Sequence, residues 1–242
     1  MPKSPARPTG QAVANDYDSF AQAYETGTEA NLDNAYYARP AILDLAADVA
    51  GRQVLDVGCG SGPLFASLRD RGAIVTGTDS SAGMLELARK RLGPDAVLHL
   101  ADLRDPLPLP DGAFDDVVAS LVLHYLEDWT APLAELRRVL KPGGRLIMSV
   151  NHPALFKTID PAIDYFATVQ VSYDCDFAGQ RVVLTNWHRP LHAMTDAFTA
   201  SGFRISVISE PTPAPGAEKL FPAEVAAEPR FLRFLFFVLE AV

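Results

Sequence analysis

Val54-Leu55-Asp56-Val57-Gly58-Cys59-Gly60-Ser61-Gly62 joins an apolar segment to a turn in which every second residue is glycine. The aliphatic residues at its start are typical of a strand that is buried on both faces. Glycine carries no Cβ, so this turn can bring the backbone into contact with a ligand. Pro63 follows at a position suited to the first turn of a helix, and residues 64–68 continue with helical spacing. The stretch therefore predicts a strand, a ligand-binding loop and a helix.

The spacing of the glycines distinguishes two kinds of nucleotide loop. Dinucleotide-binding loops use G-x-G-x-x-G, which would require glycine where this chain has Pro63. The loop instead resembles the G-x-G-x-G signature of the class I S-adenosylmethionine (SAM)-dependent methyltransferases, including the acidic residue at the end of the strand. A tight turn without a ligand seldom needs three alternating glycines. The resemblance implies S-adenosyl-L-methionine as the cofactor, and the residues that it places there are Asp56, Gly58, Cys59 and Gly60.

Acidic residues also follow the next two predicted strands. Residues 73–78 predict a strand that ends at Asp79, about twenty residues beyond the loop, where a carboxylate can accept hydrogen bonds from ribose hydroxyls. Residues 96–100 predict a third strand, and the resemblance implies that Asp102 and the Leu103 N–H bind adenine. Residues 114–120 match the family's fourth strand. The resemblance adds three further cofactor contacts, at Ser80, Met84 and Ser120, although Met84 fits a core position equally well.

The remaining strands complete a predicted α/β fold. Residues 140–150 resemble the family's turn and fifth strand, and the apolar run 231–239 predicts a last strand inserted beside it. The fold class expected is Rossmann-like, with a seven-stranded, mostly parallel sheet and an antiparallel last strand. The organisation expected is a disordered tail at 1–14, an N-terminal helical cap at 15–50 and a SAM-binding catalytic domain at 51–242. A substrate-pocket insertion is expected at about 151–190.

Composition restricts the partners of this chain. Its 242 residues, 48% of them hydrophobic, suffice for the core of one domain. The formal net charge of −9 opposes a nucleic-acid substrate, because phosphate backbones attract basic surfaces. No segment has the length and apolarity of a membrane span. Two cysteines give no disulfide framework and fit a reducing, cytoplasmic location. We expect a small-molecule acceptor and a monomer or homodimer.

Aromatic residues concentrate in the two segments added to the sheet. Tyr17 and Tyr24 recur at helical spacing in the N-terminal cap, where family tyrosines close over cofactor and substrate. In the insertion, residues 169–173 and 181–185 alternate as two strands of a hairpin. We assign Tyr17 to the cofactor and expect an aromatic or polyketide-like acceptor, methylated on O or N. The residues assigned to acceptor binding are Tyr24, Tyr37, Tyr125, Trp187 and His188.

Histidines are the candidate general bases, because their ordinary pKa lies near neutrality. His124 follows the fourth strand and is the leading candidate, His152 is the second, and a packing role competes for His124. No metal site is expected. Pro190 interrupts the His188 and His192 pair, and the adjacent Asp115 and Asp116 would point to opposite faces of a strand.

Other functions fit parts of the pattern. C-methylation coupled to cyclisation, or aminopropyl transfer from decarboxylated SAM, would use the same cofactor loop, although no acidic cluster for a polyamine is evident. A catalytically silent SAM-binding protein would keep the same aspartates. A nicotinamide-dependent oxidoreductase is opposed by Pro63.

Overall fold

The structure is a computed structural model that describes residues 15–227 and 232–242. The expected tail at 1–14 lies outside the described residues. The helices are α1 (Tyr17–Thr28), α2 (Arg39–Ala46), α3 (Pro63–Asp70), α4 (Ala82–Leu92), α5 (Thr130–Val139), α6 (Leu155–Ile159), α7 (Leu191–Ala200), α8 (Ala217–Leu220) and α9 (Pro222–Ala227). The strands are β1 (Gln53–Val57), β2 (Ile74–Asp79), β3 (Val97–Leu100), β4 (Phe114–Ser120), β5 (Leu140–Asn151), β6 (Val169–Phe177), β7 (Gln180–His188), β8 (Phe203–Ser209) and β9 (Phe234–Ala241).

Seven strands form one sheet in the order β3-β2-β1-β4-β5-β9-β8. The β1 strand pairs in parallel with β2 and β4, whereas β9 runs antiparallel to both β5 and β8. This arrangement confirms the predicted Rossmann-like fold class. Strand β9 lies between β5 and β8, where its apolar residues are buried on both faces of the sheet.

Two apolar clusters cover the faces of the sheet. One includes Leu133 of α5 and Phe198 of α7, and the other includes Ile42 of α2 and Phe65 of α3. At the amino end of β4, the fully buried Asp116 is bound by Arg52 and Arg145. Because both faces are filled, the carboxyl ends of the strands are the place where this fold leaves room for a ligand.

A two-stranded hairpin forms a separate sheet from β6 and β7. A hairpin was predicted here, and its strands are longer than the alternating residues 169–173 and 181–185. The odd-numbered residues of β6 are partly buried and the even-numbered residues are exposed. Phe177 of this inner face stacks on Phe20 of α1, with 6.0 Å between ring centroids and 1° between planes. The hairpin therefore packs against the N-terminal helix.

Candidate active site

A cavity of about 500 Å³ lies at the carboxyl edge of the sheet. Its walls come from the ends of β1, β2, β3 and β4 and from the segment around α1. Open α/β sheets bind ligands at this edge. The lining residues are Asn15, Asp16, Tyr17, Tyr24, Asn34, Val57, Gly58, Gly60, Thr78, Asp79, Ser80, Met84, Ala101, Asp102, Leu103, Arg104, Ser120, Leu121, Val122, Tyr125 and Leu126.

The glycine loop forms one wall with its backbone. Gly58 and Gly60 have φ values of +64° and +56°, in the left-handed region that favours glycine. A Cβ on Gly58 would lie 2.5 Å from Cγ2 of Val122, whereas one on Gly60 would meet no atom of residues 15–227 and 232–242 within 4 Å. The loop therefore presents bare backbone to the cavity at Gly60, as a closely bound ligand requires.

The Asp79 carboxylate is held in place by the same loop. Its Oδ2 accepts a hydrogen bond from the Gly60 N–H at 2.8 Å, and its Oδ1 accepts one from the Ser81 N–H at 2.9 Å. Burial raises the pKa of this carboxyl, and these N–H groups lower it in part. Each carboxylate oxygen can accept a further hydrogen bond. The Asp79 carboxylate can thus accept hydrogen bonds from two neighbouring hydroxyl groups, which fits the ribose of a nucleoside cofactor.

Asp56 and Cys59, which we expected at the cofactor, do not line the cavity. Asp56 is buried behind the loop, where the Phe65 N–H in the first turn of α3 reaches its carboxyl. Burial raises the pKa of Asp56 to about 8, and the negative charge of Asp79 is the second, smaller cause of this rise. Among the residues that the structure describes, none hydrogen-bonds to its Oδ2. Cys59 donates its N–H to the Thr78 carbonyl at 2.9 Å, and its side chain packs against Gly77. These two residues support the loop from behind.

The end of the cavity near β3 carries Asp102, Leu103 and Met84, as the resemblance implied. Asp102 accepts hydrogen bonds from the Arg104 guanidinium, and this contact lowers the pKa of the carboxyl. Met84 is 2% exposed and lies in the α4 helix. Ser80 and Ser120 also line the cavity. The Ser120 hydroxyl lies 3.3 Å from that of Ser149 in the neighbouring β5.

Three tyrosines close the cavity on the side of α1. The hydroxyls of Tyr17 and Tyr125 lie 2.5 Å apart, and the Tyr24 ring packs edge-on against Tyr17 with centroids 5.1 Å apart. Burial raises the pKa of all three phenols, that of Tyr24 to about 12. They are therefore neutral walls of the cavity near neutral pH.

Two hydrogen-bonded contacts fix α1 over the cavity. The Asp18 carboxylate accepts from the Ser81 hydroxyl at 2.6 Å and from the Gly83 N–H at 2.8 Å, at the start of α4. The Asn15 side chain donates to the Thr185 carbonyl at 2.8 Å and accepts from the Thr185 N–H at 2.9 Å. The segment that carries Tyr17 is thereby joined to both α4 and the β6–β7 hairpin.

Three residues assigned to acceptor binding lie elsewhere. Tyr37 is 1% exposed in the core, with its ring centroid 5.2 Å from that of Phe234, and it does not line this cavity. His188 is fully buried beside Tyr165, with its Nε2 2.9 Å from the Tyr165 carbonyl oxygen. Trp187 is half-buried in the hairpin, and neither it nor His188 lines the cavity. Strand alternation predicted the hairpin, but it could not show which of its side chains face the cavity.

The two candidate bases are also outside the cavity lining. His124 is buried, and burial lowers its pKa to about 3. Its Nδ1 accepts a hydrogen bond from the Asn151 N–H at 3.2 Å. The His152 Nε2 lies 2.7 Å from Oε1 of Glu210, and its Nδ1 accepts from the Ala154 N–H. Both rings are held by structural hydrogen bonds, which fit the packing role considered for His124.

Several lining residues were not anticipated, including Asn15, Asn34, Val122, Leu126 and Arg104. They lie in loops or beside helix ends, where no periodic pattern marks them. Asn15 carries one local signal, a φ of +62° that asparagine tolerates better than most residues. Within residues 15–227 and 232–242, no group of three or more His, Cys, Asp or Glu side chains is placed to hold a metal. No helix in these residues has the length and apolarity needed to cross a bilayer.

Comparison with known proteins agrees with this geometry. A family model described as a methyltransferase domain matches residues 55–148. The chain is 37% identical over 139 residues to a malonyl-[acyl-carrier protein] O-methyltransferase of Serratia marcescens, covering 57% of this chain and 52% of that protein. It is 41% identical over 139 residues to a demethylmenaquinone methyltransferase of Clavibacter sepedonicus, covering 56% of each. The chain thus spans about half the length of the curated relatives it matches.

A solved structure extends the similarity to nearly the whole chain. An S-adenosylmethionine-dependent methyltransferase from Mesorhizobium loti superposes with a TM-score of 0.67 at 29% identity, covering 87% of this chain and 100% of that one. Fold and site together define a Rossmann-like protein with a nucleoside-cofactor cavity. Residues 55–148 match the methyltransferase-domain family, and the chain has the fold of an S-adenosylmethionine-dependent methyltransferase.

Proposed function

We propose that this protein transfers a methyl group from SAM to an oxygen or nitrogen atom of a small, neutral, aromatic or polyketide-like acceptor. The observation that carries this proposal is the Asp79 carboxylate, fixed by two backbone N–H groups beside the bare backbone of Gly60. Asp79 would hold the ribose, and Asp102 and Leu103 would hold adenine. Ser80, Met84 and Ser120 would complete the cofactor site, with Tyr17 closing over it.

SAM, when bound, supplies a methyl group that its sulfonium already makes electrophilic. The protein's contribution is therefore to orient the acceptor and exclude water. Tyr17 and Tyr125 close the cavity through their short hydroxyl contact, and Tyr24 covers the same side. Neither His124 nor His152 lines the cavity, and each ring is held by other hydrogen bonds. The acceptor that fits this site therefore loses its proton without a protein base, as an acidic phenol or an enol does.

The charge of the lining supports a neutral acceptor. Of the described residues that line the cavity, only Arg104 carries a permanent positive charge, and it is paired with Asp102. A malonyl group, named for the Serratia marcescens relative, carries a carboxylate and would be expected to need a free cation. A quinone-type acceptor, named for the Clavibacter sepedonicus relative, needs none. The aromatic walls favour the second kind of acceptor.

Two other uses of the cavity share the cofactor contacts. C-methylation coupled to cyclisation would give a product whose ring count changes, and a silent SAM-binding protein would give no product. Incubation of the protein with SAM and a panel of phenols, hydroxyquinones, aromatic amines and a malonyl thioester distinguishes these functions by mass spectrometry. We expect a phenol or hydroxyquinone to gain one methyl group on oxygen, or an aromatic amine to gain one on nitrogen, with release of S-adenosylhomocysteine. Binding of SAM without transfer to any acceptor would contradict the proposed activity.

A further inference from the structure

Helix α1 consists of two parts with different attachments. At Phe20 the φ and ψ values are −137° and 20°, outside the helical region, so the helix is interrupted there. The part before this break carries Tyr17, and the Asp18 carboxylate holds it to the start of α4. The part after the break carries Tyr24, which also lines the cavity. The two parts of α1 therefore depend on different polar contacts.

A single guanidinium joins the second part of α1 to the glycine loop, residues 58–62. Arg91, in the last turn of α4, donates hydrogen bonds to two carboxylates at the end of α1. The distances are 3.1 Å to Glu25, and 2.6 Å and 3.1 Å to the two oxygens of Glu29. The Nε of Arg91 donates to the Ser61 carbonyl oxygen at 3.0 Å. Arg91 therefore bridges α1 and the loop.

The geometry of this bridge requires arginine. A guanidinium has five N–H donors in one rigid plane, so the Arg91 side chain can reach acceptors on two elements at once. A lysine ammonium keeps the charge but lacks this fork. The Arg91 side chain is 25% exposed, and ion pairs that water reaches contribute little to stability. The position of the bridge, between two walls of the cavity, is therefore more informative than its strength.

Both ends of the bridge adjoin residues that line the cavity. On one side, Ser61 follows Gly60, which lines the cavity with bare backbone and donates its N–H to Asp79. On the other side, Glu25 directly follows Tyr24, which belongs to the aromatic wall. A ligand that orders the glycine loop would therefore also order the second part of α1.

We infer that Arg91 is a positioning residue that couples cofactor binding to the placement of Tyr24 over the cavity. When the cofactor fixes the glycine loop, the Ser61 carbonyl fixes the guanidinium, which in turn holds Glu25 and Glu29. The acceptor then meets a complete aromatic wall only in the cofactor complex, so cofactor binding precedes productive binding of the acceptor. This inference rests on the proposed function.

Hydrogen exchange of the full chain, with and without saturating S-adenosylhomocysteine, tests the coupling. We expect this ligand to slow exchange in two segments of the wild-type protein, the glycine loop and residues 25–29. Residues 25–29 do not line the cavity, so slower exchange there reports transmission and not direct contact. Exchange measures local opening of each segment separately, which a change in overall stability would not reproduce.

The arginine variants break the bridge at its centre. Arg91→Gln should keep the ligand-induced protection of the glycine loop and lose that of residues 25–29. Arg91→Lys should lose it as well, because an ammonium cannot bridge the two elements. Arg89→Gln is the matched control, since it removes the same charge from an exposed position of the same helix. It should keep the protection of both segments.

A second variant breaks the bridge on the α1 side alone. Glu25→Ala combined with Glu29→Ala removes both carboxylates and leaves the bond between Arg91 and Ser61 in place. The protein should again show ligand-induced protection of the glycine loop without that of residues 25–29. If the arginine variants do not fold, this double variant decides the outcome.

Protection of residues 25–29 that is absent from the wild-type protein, or that persists in the Arg91→Gln or the double glutamate variant, would overturn the coupling. Loss of protection in both segments of Arg91→Gln would also overturn it, because Arg91 would then support only the loop. Failure of S-adenosylhomocysteine to protect the glycine loop of the wild-type protein would overturn the proposed function together with the coupling. The loop and residues 25–29 thus report the two failures separately.

Discussion

At the scale of single residues, backbone contacts determine which carboxylates face the cavity. Asp79 and Asp56 both lie at or near the end of a predicted strand, and both were assigned to the cofactor from the sequence. Asp79 faces the cavity, held by Gly60 and Ser81, while Asp56 faces the start of α3. The motif thus predicted which aspartates matter, but the direction of each carboxylate depends on the turn that follows its strand.

Asp79→Asn should weaken S-adenosylhomocysteine binding by at least about tenfold, because hydrogen bonds to a charged carboxylate contribute roughly 1.5–3 kcal/mol. Calorimetric titration measures the change. Asp115→Asn is the control, since Asp115 pairs with Lys141 at the amino end of β4. It should leave the affinity unchanged. Wild-type affinity in Asp79→Asn would refute the ribose assignment.

His124→Gln tests whether that ring acts as a base or as packing. Loss of a general base lowers turnover by about 100-fold or more, and we expect a smaller fall because the ring lies outside the cavity lining. Burial lowers the folded-state pKa to about 3, so the neutral ring contributes stability above its unfolded pKa, which is lost as pH falls toward 3.

Unfolding midpoints between pH 8 and pH 5 measure the stability effect of His124. The wild-type midpoint should fall more steeply below about pH 6.5, the unfolded pKa of histidine, than that of His124→Gln. Equal pH dependence in the two proteins, or a 100-fold loss of turnover in the variant, would contradict the packing role.

At the scale of elements, the hairpin and α1 form one cover over the cavity. Period-2 alternation predicted β6 and β7 because one face of β6 is partly buried. The helical spacing of aromatics predicted α1. Tyr37, a later aromatic of the same predicted cap, packs between α2 and β9. The spacing of apolar residues identifies the buried face of a helix or strand. The element that packs against that face depends on contacts between residues distant in sequence. The bond between Asn15 and Thr185, 170 residues apart, is such a contact.

Asn15→Ala should shorten the residence time of bound S-adenosylhomocysteine, because both hydrogen bonds between the start of α1 and β7 are lost. We expect the dissociation rate to rise about fivefold to tenfold, as for one or two neutral hydrogen bonds. Stopped-flow release of the ligand measures it. Ser19→Ala removes an exposed hydrogen bond to Asp16 in the same segment and should have no effect. A wild-type rate in Asn15→Ala would show that this bond does not hold the cover closed.

At the scale of the whole molecule, the sequence predicted the sheet far better than its cover. The order of the strands and the antiparallel β9 follow from motifs and apolar runs that each lie within a short stretch. The acceptor side combines α1, β5 and the hairpin, which approach one another only in the folded chain. For this reason most of the residues assigned to the cofactor line the cavity, whereas three of the five residues assigned to the acceptor do not.

A calorimetric titration of the full chain with S-adenosylhomocysteine and NADH in parallel tests which cofactor this cavity binds. We expect micromolar binding of one S-adenosylhomocysteine per chain and no heat from NADH, because the loop has Pro63 in place of the glycine of a dinucleotide fingerprint. Binding of NADH alone, or of neither compound, would contradict the central claim that this cavity holds SAM.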